Sequence, residues 1–381
     1  MRVLGWASLL NDSASEMVYA LLPHFLLQTL GGNRFHVGLI EGCADATASL
    51  LKIWMGRVAD RGGSRKAFIV MGYSVPALVR PLIGLATLPW HLFGARITDR
   101  LGKGIRTPPR DAMIADTTPA DLRGRAFGYH RGMDNLGAAV GPLIAALFLA
   151  LWPEQLRLLF LVTLLPGLLV VALLLFRLPD TRGPVVEPVQ QAAGLPSHYS
   201  PGFVRYMVAL LIFTLGNSSD AFLLVRAGEL GVPILALPLL WCACHVAKSG
   251  CNFLLGRLID QLGARRLLPV AWCAFALVYA GFALAGEASH MWALFIAYGL
   301  VMGLVEPAER TLVGQLVGRG KRGMGYAWYS FTSGMAALPA SLACGALYQV
   351  AGPMAAFGYG AALAMVAVTV LATVRQPAEA T

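Results

Sequence analysis

Asp12 and Glu16 stand four residues apart in the run Asn11-Asp12-Ser13-Ala14-Ser15-Glu16, inside an otherwise apolar stretch. On a helix that spacing puts both carboxylates on one face. Asn217, Ser218, Ser219 and Asp220 make a similar polar break in the second half of the chain. Other ionisable residues also interrupt apolar runs: Glu41, Asp45, Lys52, Arg80, His130, Arg131, Asp134, Glu306 and Glu309. In hydrocarbon each of these is costly and normally faces a cavity or a partner. A partly desolvated carboxylate beside a cation can load and release a proton near neutrality, as coupling to a proton gradient requires. Asp12, Glu16, Asp45 and Asp134 are the candidates for that task, in this order, with Arg131 as their expected cationic partner. Lys52, seven residues after Asp45, shares its face and could neutralise a carboxylate on a neighbouring helix. The competing account is a structural ion-pair network and, for the Asn and Ser side chains, hydrogen bonding between helices.

Metal chemistry is the second possibility. Trp241-Cys242-Ala243-Cys244-His245 is followed by Lys248 and Cys251, and thiolates with imidazole suit transition metals. Cys242 and His245 share a helical side while Cys244 points away, so Asp220 or Met residues from elsewhere would have to complete the site. The bland alternative is that buried Cys packs as a small apolar residue. His245 and Lys248 also read as cavity-lining groups that bind an anionic solute or balance Asp220. Catalysis has little footing. His130 and Asp134 form a His-x-x-x-Asp pair, but His-Glu-x-x-His and Gly-x-Ser-x-Gly are absent. Gly102-Lys103-Gly104 lacks the rest of a phosphate loop, so neither an enzyme nor a nucleotide cofactor is expected.

The elements that must hold these residues are set by composition. The 381 residues are 57% hydrophobic and 13% charged, with mean hydropathy +0.64, too apolar for a water-soluble domain of this length. About twelve stretches approach the roughly 20 residues that cross a bilayer as a helix: 4–30, 36–58, 67–87, 89–112, 124–151, 156–176, 203–226, 231–258, 267–286, 290–315, 323–349 and 353–374. The first is too long for a signal-peptide core and carries acids at its middle. Residues 177–201 hold five prolines and read as a linker between six spans and six. The expected organisation is therefore an N-terminal half 1–176, a linker 177–201 and a C-terminal half 202–381. The six cysteines all lie in apolar runs, which argues against a secreted disulfide framework.

Charge and repetition add topology. Gly56-Arg57-Val58-Ala59-Asp60-Arg61-Gly62-Gly63-Ser64-Arg65-Lys66 returns as Gly256-Arg257-Leu258-Ile259-Asp260-Gln261-Leu262-Gly263-Ala264-Arg265-Arg266. So long a period marks a duplicated half. The basic residues, including Arg100, Lys103, Arg106 and Arg110 counted as loop charges, gather on one side, against Arg34, Arg157 and Arg226 on the other. The positive-inside rule then places both termini and both copies of the motif in the cytoplasm. It also accounts for the net charge of +10 without nucleic acid.

Twelve spans, a midway linker and a Gly-x-x-x-Asp-Arg-x-Gly-type loop resemble the major facilitator superfamily of secondary transporters, over essentially the whole chain. The resemblance implies an all-α fold of two pseudo-symmetric six-helix halves around a midplane site. It also implies a small-molecule or ion cargo exported by alternating access, a proton gradient as driving force, a bacterial inner membrane, and a monomer. In the superfamily the repeated loop latches the cytoplasmic side. That role falls here on Gly56, Asp60, Arg61, Gly63 and Arg65, and on Gly256, Asp260, Gly263 and Arg265. A basic residue usually follows the loop's last glycine, where this chain has Ser64 and Ala264. Gly132, Gly137, Gly141 and Pro142 resemble the superfamily's fifth-helix motif, and Gly334 to Pro339 is the counterpart. A nickel- or iron-type metal exporter, with Asp12, Glu16, Asp220, Cys242 and His245 as ligands, is the alternative. The substrate or coupling set is otherwise Asp12, Glu16, Asp45, Arg131, Asp134, Asn217, Asp220, His245, Lys248 and Glu306.

Overall fold

Apolar runs punctuated by glycine, proline and charge become helices throughout the computed structural model, which describes residues 2–59, 64–119, 122–179, 200–317 and 322–374. The fold is all-α. In chain order the helices are α1 (Arg2–Tyr19), α2 (Leu22–His24), α3 (Arg34–Ala59), α4 (Arg65–Leu82), α5 (Pro89–Asp116), α6 (Arg123–Leu151), α7 (Leu156–Val162) and α8 (Leu164–Arg177). They continue as α9 (Pro201–Gly216), α10 (Ala221–Glu229), α11 (Ala236–Leu262), α12 (Ala264–Leu284), α13 (Ala288–Leu316) and α14 (Arg322–Ala372). Among the described residues seven helical segments are long and apolar enough to cross a membrane. The last of these is two helices run together across Gly352, whose φ of 80° ends one helix just before Pro353. Of the long helices α1, α3, α5 and α11 fall outside the seven, and each carries ionisable residues in its interior.

Three expected single spans are broken, the one at 156–176 at Thr163 between α7 and α8. α1 stops at Tyr19, and α2 with a π-type turn Phe25–Thr29 completes the stretch expected at 4–30. The stretch expected at 203–226 is divided at Asn217–Asp220 into α9 and α10. Backbone bonds close both ends of this last break, from Asn217 N–H to Phe213 O at 2.9 Å and from Phe222 N–H to Ser219 O at 3.1 Å.

The chain divides into two compact units. One gathers Met1–His36, Cys43–Gln190 and Val232–Cys242; the other gathers Val37–Gly42, Gln191–Gly231 and Ala243–Thr381. In the first, α1 packs on α6 and α8, and α4 packs on α5 and α8. In the second, α14 packs on α9 and α12, and α12 on α13. Pairs of glycines four residues apart set several of these seams, because a small residue lets two backbones approach. A side chain at Gly137 or Gly141 of α6 would collide with the Leu9 or Ser13 carbonyl of α1. Gly38 and Gly42 meet Ser341 and Leu338 of α14 in the second unit. Gly299 and Gly303 of α13 meet Cys244, Lys248 and Cys251 of α11. The Cys251 side chain is therefore a packing group at a tight helix crossing, to which Cys244 contributes its backbone carbonyl.

The motif copies differ. Asp60, Arg61 and Gly63 lie outside the described residues, and the side chain of Asp260 is likewise not described. Gly56 and Gly256 fall within α3 and α11. Ser64 caps α4, accepting from Ala67 N–H at 3.2 Å, while Gly263 caps α12 in a left-handed conformation, φ 81°. Arg65 is buried and pairs with Asp116 of α5, whereas Arg265 is exposed.

The α1–α6 seam yields a prediction. Overpacking a close helix crossing costs about 1–3 kcal/mol, so Gly141→Val should lower the thermal midpoint of the detergent-solubilised protein. Gly132→Ala, at a position with open space around it, should leave it unchanged. Equal effects of the two in a fluorescence melt would contradict the seam.

Candidate functional site

The first unit concentrates its charge where α1, α3, α5 and α6 present their middles. Asp99 of α5 is 2% exposed and is shared by three arginines. Arg80 Nε lies 2.7 Å from its Oδ1, Arg100 Nη1 3.9 Å and Arg96 Nη1 4.0 Å from its Oδ2. Arg80 also donates to the Asn11 carbonyl at 3.0 Å and to Asn11 Oδ1 at 3.2 Å. Asn11 Nδ2 in turn donates to Asp12 Oδ1 at 2.8 Å. One chain of hydrogen bonds thus runs from α5 through α4 to Asp12 on α1. Arg106 stacks on Tyr73 at 4.5 Å and donates to Gly72 O at 3.2 Å, while Arg100 Nε reaches Asp45 Oδ1 at 3.7 Å.

α6 supplies the other wall. His130 Nδ1 stands 3.4 Å from Asp134 Oδ1, and Ser8 of α1 donates to the same oxygen. A side chain at Gly137 would lie 3.1 Å from Asp12 Cβ, so the α1–α6 seam holds Asp12 and Asp134 as electrostatic neighbours. Glu16, one turn on, accepts from Trp241 Nε1 at 2.8 Å.

The second unit has its own polar centre at the α9–α10 break. Tyr298 donates to Asp220 Oδ1 at 2.5 Å, and Tyr279 donates to Asn217 Oδ1 at 3.4 Å. Lys248 Nζ pairs with Glu306 Oε1 at 2.5 Å, with Asp220 within electrostatic range. Glu309, 5% exposed, is held by two neutral donors, Trp272 Nε1 at 3.2 Å and Tyr329 OH at 2.8 Å.

A bundle of apolar helices with mid-helix ion pairs and a broken crossing is a membrane transporter's architecture, and comparison with known proteins agrees. The profile of the Major Facilitator Superfamily matches residues 4–338 and, in an overlapping second alignment, 246–381. The chain belongs to this superfamily. A relative from Methanocaldococcus jannaschii, described as an uncharacterised MFS-type transporter, MJ1317, is 29% identical over 373 residues, covering 96% of this chain and 92% of that protein. The multidrug resistance protein MdtH of Photorhabdus laumondii is 31% identical over 182 residues, covering 46% of this chain and 44% of that protein. Among solved structures, the nucleoside transporter NupG superposes with a TM-score of 0.77 at 14% identity, covering 98% of each chain. A POT family transporter in complex with 5-aminolevulinic acid gives 0.81 at 12%, covering 97% of this chain and 94% of that one. At such identities the superpositions establish the superfamily fold.

Within that superfamily framework several expected pairings differ. Arg131 is exposed and makes no ion pair among the described residues. It sits about 100° round the helix from His130, and it is His130 that meets Asp134. Lys52 makes no ion pair with a carboxylate of a neighbouring helix among the described residues, and the cation at Asp45 is Arg100. Arg100, Lys103, Arg106 and Arg110 are residues of the helix α5, not of a loop. The metal set Asp12, Glu16, Asp220, Cys242 and His245 is not assembled: among the described residues no three His, Cys, Asp or Glu side chains converge. Glu16 is taken by Trp241, Asp220 by Tyr298, and Cys242 lies 3.5 Å from the Ala139 carbonyl. Sequence reading missed Asp99, although Arg96-x-x-Asp99-Arg100 inside an expected span is the signal of an intrahelical charge cluster. It also missed the neutral donors Trp241, Trp272, Tyr298 and Tyr329, which an apolar run conceals.

Removing one partner of a buried ion pair costs about 3–5 kcal/mol because the other charge is left uncompensated. Asp99→Asn should therefore lower the thermal midpoint strongly. Asp111→Asn, which touches only the half-exposed partner of Arg110 on the same helix, should have little effect. Similar melts for the two would refute the central role of Asp99.

Proposed function

We propose that the chain is a proton-coupled secondary active transporter that exports a small polar or charged solute by alternating access. The observation that carries this reading is the Ser8–Asp134–His130 group on the α1–α6 seam, with Asp12 beside it. Two carboxylates in one weakly screened region repel unless a proton or a cation joins them, and a proton delivered there changes what the solute meets on α1. Asp12 and Asp134 then act as the coupling pair, with His130 against Asp134. Glu16 and Asp45 are further coupling candidates of the N-terminal half, and Asn217, Asp220, His245, Lys248 and Glu306 are those of the C-terminal half. The multidrug description carried by the MdtH relative supports efflux. The moving bodies are residues 1–176 and 202–381, joined by 177–201, in a monomer of the bacterial inner membrane with both termini cytoplasmic. The repeated loops serve as cytoplasmic latches, Arg65 through its pairing with Asp116.

Proteoliposomes loaded with a pH dye test the coupling. Addition of one member of a panel of amino acids, nucleosides, organic acids and drugs should move protons through the wild type. Asp12→Asn and Asp134→Asn should each reduce this at least about tenfold while unlabelled-for-labelled solute exchange persists, since exchange needs no net proton transfer. Solute flux without proton movement, or unaltered coupling in both variants, would overturn the assignment. For the loop, Asp60→Asn should slow turnover and leave the apparent affinity unchanged; a lost affinity at normal turnover would contradict the latch.

A further inference from the structure

Lys103 lies at the middle of α5, fourteen residues from Pro89 and thirteen from Asp116. At about 1.5 Å per residue each end of the helix is about 20 Å away. Its side chain is nonetheless exposed, and it makes no ion pair or hydrogen bond among the described residues. An ammonium at that depth is tolerated only where it faces water or an anion, because in hydrocarbon its cost is prohibitive. Gly104, its neighbour, is pressed against Leu51 of α3, which brings Lys52 alongside. Lys52 too has no paired carboxylate among the described residues. Lys103, Lys52, Arg100 and Arg106 therefore stand within one another's field.

The local charge does not balance. Seven cations, Lys52, Arg80, Arg96, Arg100, Lys103, Arg106 and Arg110, face six carboxylates, Asp12, Glu16, Asp45, Asp99, Asp111 and Asp134. Asp99 is committed to Arg80, and Asp45 is reached only at the 3.7 Å of Arg100. The donor capacity is unmet as well. The buried Nε atoms of Arg100 and Arg106 have no hydrogen-bond acceptor among the described residues. Structural ion pairing would match donors to acceptors; this arrangement leaves positive charge and N–H groups over, at the depth where a solute is held.

We propose that the first unit recognises an organic anion, its carboxylate or phosphate oxygens held by Lys103 with Lys52 and Arg100. The proposal rests on the transporter reading and narrows its cargo to oxyanions. It also gives the Asp12–Asp134 pair a purpose. Asp12 lies within the field of Lys103, so the solute's charge and the carboxylate compete for the same cation, which links solute binding to the protonation state of Asp12.

Thermal shift of the purified protein tests binding, with succinate against succinamide, shikimate against its methyl ester, glucose 6-phosphate against glucose, and tetraphenylphosphonium as the cationic arm. At least one acid should stabilise the wild type where its neutral counterpart does not. Lys103→Gln should weaken that acid at least about tenfold, the scale of one lost charged hydrogen bond, while Lys103→Arg retains it. Size-exclusion profiles identify any variant that fails to fold, and Lys52→Gln then provides the second probe, with the same loss expected. The proposal is overturned if no acid binds, if neutral counterparts or tetraphenylphosphonium bind equally, or if Lys103→Gln binds the acids as the wild type does. Flux in proteoliposomes separates the two claims. Lys103-dependent binding without flux would refute transport and keep the anion site; flux of a neutral or cationic solute, indifferent to Lys103, would do the reverse.

Discussion

A carboxylate buried among three guanidinium groups is the constraint on which the first unit depends. Asp99 cannot be left with fewer cations without exposing a bare charge to a medium of low polarity, and the arginines cannot lose it without repelling one another. This mutual need fixes α4 against α5 and leads, through Arg80 and Asn11, to the backbone of α1. α1 is thereby held by a polar contact on one side and by glycine-mediated contact with α6 on the other. Asp12 stands between the two attachments. Its place is set by charge from one direction and by the absence of side chains from the other.

Glycine spacing does comparable work elsewhere. The Gly38–Gly42 and Gly299–Gly303 pairs bring helices to backbone distance, and such seams gain dispersion and weak C–H···O contacts rather than hydrophobic energy, which lipid does not supply between helices. They also give one cysteine of α11 a packing role. Cys251 is the small side chain opposite Gly303, as Ala247 is opposite Gly299, and a larger side chain at either would part the helices.

Much of the fold was legible because hydrophobicity, span length and the repeated loop are global signals that survive local exceptions. The all-α class and superfamily membership follow from them. Which ionisable residues matter was legible only by type. Asp12, Asp134 and Glu16 stood out as acids in apolar runs, but their partners did not, since Ser8, Asn11 and Trp241 are ordinary residues of any membrane helix. Arg131 was expected to serve Asp134 because it is charged and near in sequence; helical geometry gives that place to His130. The density of arginine on α5 was taken as a topological signal, and only tertiary packing reveals that Asp99 turns it into an interior network. Breaks within spans at Tyr19 and Asn217 were invisible to a reading based on length.

The interruption between α9 and α10 has a mechanical side. A continuous helix resists bending because a kink must rupture its axial hydrogen bonds. At Asn217–Asp220 those bonds have been replaced by local ones at each rim. The nine-residue α10 is therefore a short rod set off from α9 by a joint, while α9 keeps its seat on α14. A crossing built in two pieces can change its angle at that joint without breaking the axial bonds of either helix.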